Sequence, residues 1–103
     1  MIKARIFSSD GKITGFSING HAEFAERGKD IYCAGVSTVT QAAYMCITDH
    51  LKREIDGDVG AGKLILKLKT PPDELTEAVF QTMLIGLKEI EKLAPKFVKV
   101  IEN

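Results

Sequence analysis

What this sequence lacks narrows it before any motif is read. No apolar run approaches the ~20 residues that a helix needs to cross a bilayer, so no membrane contact is expected. Cysteine is scarce, at two in 103 residues, too few for the disulfide framework of a small secreted scaffold. The opening MIKARIFSSDG alternates apolar and charged residues and then turns, unlike a signal peptide or a lipidation site. These absences together lead us to expect a reduced, cytoplasmic protein. Low-complexity tracts, repeats and Pro/Gly-rich linkers are missing too, which argues against disorder and leaves a single domain over 1–103. A charge excess of either sign is also absent: 14 basic residues balance 14 acidic ones. That balance gives no support to a function built on nonspecific polyanion binding, and no direct nucleic-acid contact is expected.

What is present is a foldable pattern, 45% hydrophobic. Ile2, Ala4 and Ile6 alternate with Lys3 and Arg5, the period of a half-buried strand. Residues 8–12 hold Asp10-Gly11, a hairpin signal, and a second strand follows over roughly 13–18. Residues 20–32 show no period, and so long a connection is more often functional than idle. Val36, Val39, Ala43, Ile47, Leu51 and Ile55 then step by three or four, which predicts an amphipathic helix ending near Asp56-Gly57. Leu64, Leu66 and Leu68, opposite Lys63, Lys67 and Lys69, predict a third strand that meets water on one side. Thr70-Pro71-Pro72-Asp73 reads as a helix start capped by Thr70, and Leu75, Val79, Gly86, Ile90 and Leu93 carry that helix to Pro95. A last strand covers 97–101. The expected fold is α+β: a single two-layer domain of order ββαβαβ, its two helices packed on one face of a mixed or mostly antiparallel four-stranded sheet.

Two apparent motifs dissolve on inspection. Gly57-Asp-Val-Gly-Ala-Gly62-Lys63 has the spacing of a phosphate loop. But Leu64 stands where Ser or Thr would hold a metal, and the segment runs from helix into strand rather than the reverse. We read it as a glycine-rich connection. A zinc site from Cys33, Cys46, His21 and His50 fails on distance, since Cys33 and Cys46 near one helix stand ~20 Å apart. The same separation rules out a disulfide between them. No metal and no cofactor are expected; Cys46 reads as a small apolar residue and His50 as a helix-end residue favoured by the dipole.

The remaining constellation is GHAEFAERGKDIYCAGVS, residues 20–37. Cys33 falls at the predicted N-terminus of the first helix, where unpaired N–H groups and the dipole favour an anion. Ala34 and Gly35 are small enough for a carbonyl to approach their N–H groups as oxyanion donors. His21, across the aperiodic segment, is in reach to activate the sulfur and to protonate a leaving amine. The residues alone leave two readings open, cysteine catalysis or a structural cysteine beside a surface histidine.

Gly20-His21-Ala22, Gly28, Asp30-Ile31, Cys33-Ala34 and Ser37 together resemble the signature G-H-A-(x)5-G-x-D-I-x-C-A-x-x-S of the ribosomal-processing cysteine proteases called Prp. Chain length, element order and the Leu/Met-rich QTMLIGL (81–87) are similar too. The resemblance implies a cytoplasmic homodimer. It implies an endopeptidase that removes a short N-terminal extension, after a pair of aromatics, from bacterial large-subunit ribosomal protein twenty-seven. It makes Cys33 the nucleophile and His21 the general base and acid. Asp30 has two readings, an orienter of His21 or a helix cap. Ser37 either bonds near the sulfur or satisfies a helix carbonyl. Gly20 and Gly28 read as loop hinges, and Phe24 and Tyr32 either line a pocket for aromatics or pack elsewhere. Two other functions compete: a non-catalytic ribosome- or RNA-associated domain, motivated by the lysine face of the third strand with Lys88, Lys92, Lys96 and Lys99, and redox sensing at Cys33.

Overall fold

The computed structural model describes residues 1–20 and 30–102, Asp30 by its backbone alone. His21, Phe24 and Gly28 therefore lie outside the described residues. Strands β1 (Ile2–Ser9) and β2 (Lys12–Asn19) form a hairpin. Its Asp10 and Gly11 both have positive φ, 52° and 83°, the mirror-image turn that matches strand twist. Helix α1 (Asp30–Met45) runs on into a π-helical turn, Cys46–His50. A second hairpin of β3 (Ile55–Gly60) and β4 (Lys63–Leu68) follows, then α2 (Glu74–Leu93) and β5 (Val98–Glu102). The sheet order is β3-β4-β2-β1-β5, antiparallel except where β5 joins β1 in parallel. No helix among the described residues is long and apolar enough to cross a membrane.

The α+β class and the two helices agree with the sequence reading, but the strand count does not: the sheet has five strands, in the order ββαββαβ. The extra strand is β3, whose sequence alone reads as a helix end followed by a glycine-rich connection. The first helix stops sooner than its apolar stripe suggests. Leu51 and Arg53 donate to the carbonyls of Cys46 and Ile47 at 2.8 and 3.0 Å, and Lys52 takes a left-handed φ of 53°. Such a pair of long-range bonds over a left-handed residue closes a helix. Ile55 then keeps the apolar rhythm by chance while pairing with Leu68 as a strand residue.

The second helix starts later and faces differently than expected. Thr70 and Pro71 each precede a proline, which steers them away from helical backbone, so the cap is Asp73. Its carboxylate accepts from the N–H groups of Leu75 and Thr76, and the Thr76 hydroxyl answers the Asp73 N–H. The Thr76 bond, reinforced by the Arg53 guanidinium at 2.8 Å, holds the Asp73 carboxyl below its ordinary value. The buried face is Thr76, Phe80, Met83, Leu84 and Leu87, whereas Leu75 and Leu93 are 57% and 73% exposed. Phe80 meets Phe16 of β2 edge to face, with ring centroids 6.1 Å apart. Around that contact one core joins Ile2, Ala4 and Ile6 of β1 to Val36 and Ala43 of α1 and Ile47 of the π-helical turn. Both helices thus cover the same face of the sheet.

Candidate active site

The helix layer does not reach evenly across the sheet. Between the first half of α1 and the β3–β4 hairpin lies a cleft of about 210 Å³. Its floor is Ile2, Ile18 and Leu64, apolar residues that point toward the helices. Cys33, Val36, Ser37, Thr40 and Gln41 form one wall, consecutive steps along a single face of α1. The other wall is the hairpin, at Val59, Gly60, Gly62 and Lys63.

Cys33 is half-buried in the first turn of α1, and it and Cys46 are both thiols outside any disulfide. A helix beginning at Asp30 sets the positive end of its dipole beside the sulfur. Ala34 and Gly35 follow Cys33 within the helix. Ala34 is exposed. Gly35 faces α2, where an added Cβ would stand 3.2 Å from Ile90 Cδ1, so its smallness serves helix packing. Ser37 is exposed one turn beyond Cys33 on the cleft face. Below it, buried Thr40 turns its hydroxyl back to the Val36 carbonyl at 2.6 Å, which leaves its methyl for the cleft.

Gly20 closes the end of the cleft. Its φ of +101° suits glycine, and a Cβ there would run into the Met1 carbonyl. Its N–H donates to the Gly62 carbonyl at 3.0 Å, tying the end of β2 to the β3–β4 turn just where the chain leaves toward His21. The cleft thus brings together Gly20, Cys33 and Ser37 among the expected site residues. Tyr32 is half-buried and outside the cleft lining. The Asp30 side chain, His21 and Gly28 fall outside what is described. Thr40, Gln41 and the entire hairpin wall were missed from sequence. The available signal was the Ala61-Gly62 pair, a two-residue hairpin turn with Gly62 at φ +69°. Among the described residues no cluster of three or more His, Cys, Asp or Glu is placed to hold a metal ion.

The arrangement suits nucleophilic attack on an extended chain: a thiol at a helix N-terminus, facing an apolar trough open to one side. Comparisons with known proteins point the same way. The family model for the cysteine protease Prp matches residues 1–99. The ribosomal processing cysteine protease Prp of Bacillus subtilis (strain 168) is 50% identical over 99 residues, covering 89% of this chain and 88% of its own. That of Staphylococcus aureus (strain Mu50 / ATCC 700699) is 30% identical over 87 residues, covering 82% of each. Crystal structures of an essential ribosomal processing protease Prp from S. aureus, with a covalently linked product peptide and with a substrate peptide, each match with a TM-score of 0.88. Their identities are 27% and 26%, and both chains are covered in full.

Proposed function

This chain belongs to the Prp family of cysteine proteases, and from that premise we propose that it is the processing endopeptidase for its host's large-subunit ribosomal protein twenty-seven. In this reading it removes the short N-terminal extension after the aromatic pair. The observation that carries it is the placement of Cys33, in the first turn of α1 and in the wall of a peptide-sized cleft. The relatives' names and the peptide complexes of the S. aureus protein support the substrate class. Cytoplasmic location and a homodimeric state complete the proposal.

The chemistry runs through two half-reactions. The Cys33 thiolate attacks the scissile carbonyl carbon, forming a C–S bond while the carbonyl electrons move to oxygen. We assign that oxyanion to backbone N–H groups in the first turns of α1, where the positive end of the helix dipole favours negative charge. Collapse breaks the C–N bond, and the His21 imidazolium gives its proton to the departing amine. His21 then takes a proton from water, the hydroxide attacks the thioester, and the new carboxylate leaves as the sulfur is released. Ser37, one turn beyond Cys33, and Asp30 are assigned supporting roles in holding this pair.

A synthetic peptide spanning the extension and its junction tests the proposal, with wild type, Cys33→Ala and His21→Ala run side by side and products mapped by mass spectrometry. One cut after the aromatic pair, absent in both variants, is expected. Cleavage that persists in Cys33→Ala would falsify it.

A further inference from the structure

The face of the sheet turned away from the helices carries a charge pattern that the neutral total conceals. The strand register arranges it in three rows. Lys99, Lys3, Asn19, Lys63 and Gly60 make the first; Ile101, Arg5, Ser17, Ile65 and Asp58 the second; Phe7, Gly15, Lys67 and Asp56 the third. Five cations thus share this face with two carboxylates. Asp58 pairs with Lys63 at 2.6 Å and Asp56 with Lys69 at 3.6 Å, while Lys67 lies 5.3 Å from the centroid of the Phe7 ring.

That leaves Lys3, Lys99 and Arg5 on the β1–β5 side, with no acid of the described residues in ion-pair contact. Lys3 and Lys99 are direct partners across the two strands, an arrangement of like charges that costs the fold stability. Arg5 is the next residue on the same face of β1. Meanwhile α2 in the other layer carries Glu74, Glu77, Glu89 and Glu91 against Lys88 and Lys92, a net negative charge opposite the basic face. Phe7, Ile65 and Ile101, half-buried between the cations, give the basic face flat apolar ground.

We propose that this open face binds the backbone of single-stranded RNA, with Lys3, Arg5 and Lys99 on phosphates and bases laid over Phe7 and Ile101. Cations spread over a flat sheet with apolar residues between them suit phosphates and base faces together, whereas an acidic protein surface would use the charges alone. The surface is on the opposite face of the sheet from the cleft floor, so the inference goes beyond the protease reading and stands or falls separately.

The test is fluorescence anisotropy of a fluorescein-labelled 20-nucleotide polyuridine, titrated with protein at several salt concentrations. Binding is expected to weaken with salt, with a slope of log K against log salt near −2, about 0.7 for each of three neutralised phosphates. Lys99→Glu is expected to lower affinity at least about tenfold while leaving peptide cleavage unchanged. Its thermal midpoint should equal or exceed wild type, because a cross-strand Lys–Glu pair replaces Lys–Lys. Lys92→Glu, the same charge change on α2, should leave RNA affinity within about twofold. No binding at low salt, equal binding by Lys99→Glu, or equal losses in both variants would overturn the proposal. So would a polyglutamate peptide that binds as tightly as the RNA.

Discussion

The two walls of the cleft are built on opposite plans. The α1 wall is a rigid helix that sets Cys33, Ser37 and Gln41 on one face. Its rear side is pinned to α2, with Val39 against Gly86 and Gly35 against Ile90. The β3–β4 wall is an edge hairpin, mostly exposed along β3, with Val59 64% exposed. Chemistry needs groups held within fractions of an ångström, and a helix anchored in a core provides that. Shape selection tolerates a looser element, and an edge strand with small residues lets a peptide lie close. Defects should therefore separate, with rate lost on the helix wall and affinity on the hairpin wall.

The comparison can be attacked at four strengths. We predict that Cys33→Ala abolishes cleavage, by at least about a thousandfold, while circular dichroism and the thermal midpoint stay close to wild type. A much smaller loss would take the chemistry off the helix wall. Gly20→Val, at the join between the walls, forces a β-branched residue into φ +101° and against the Met1 carbonyl. We expect at least about 1–3 kcal/mol of destabilisation, read by urea unfolding, together with loss of activity. Wild-type stability would show that the join is not strained. Val59→Asp on the hairpin wall should raise KM roughly tenfold with kcat nearly unchanged, as for an interaction made equally in ground and transition states. If kcat falls instead, the hairpin takes part in the chemistry and the division of labour is wrong.

The smallest effect on catalysis should come from Asp73, on neither wall. Its carboxyl lies below the ordinary value because the Thr76 N–H, then Arg53, favour its charged form. Its stabilising contribution is therefore present above the unfolded-state value near 3.8 and is lost as pH falls through the lower folded value. Asp73→Asn should reduce the thermal midpoint at pH 7 but leave cleavage unchanged. The gap to wild type should narrow on acidification; a gap that widened in acid would contradict the assigned cause.

How much of this was legible beforehand differs between the walls for physical reasons. The first helix and its π-helical turn show their buried stripe plainly, since Val36, Ala43 and Ile47 repeat at helical spacing with Ser37, Thr38 and Gln41 between them and Asp49 just beyond. Cys33 and Ser37 were legible because their spacing matches a long motif. Strand β3 was hidden because IDGDVG offers only Ile55 and Val59 as apolar residues, with Gly57 at the alternate position between them. Its strand character comes from pairing with β4, a tertiary effect. On α2, Leu75, Phe80, Ile85 and Leu93 spread apolar residues around most of the helix, so periodicity alone could not select a face. The buried face also includes Thr76, whose burial follows from its role in the cap. The charge of the open sheet face was masked differently: a balanced total is silent about segregation, and only the strand register brings Lys3, Arg5 and Lys99 together.

Whether Cys33 forms the covalent bond with substrate can be read by mass spectrometry of the acylated protein. Wild-type protein mixed with the extension peptide would be quenched in acid within the first turnover and digested for site mapping. We expect an added mass equal to the N-terminal cleavage fragment less water relative to its free acid, located on Cys33, with Cys46 unmodified. Acylation on Cys46, or complete cleavage without any acyl-enzyme under conditions that trap one in other thiol proteases, would contradict it.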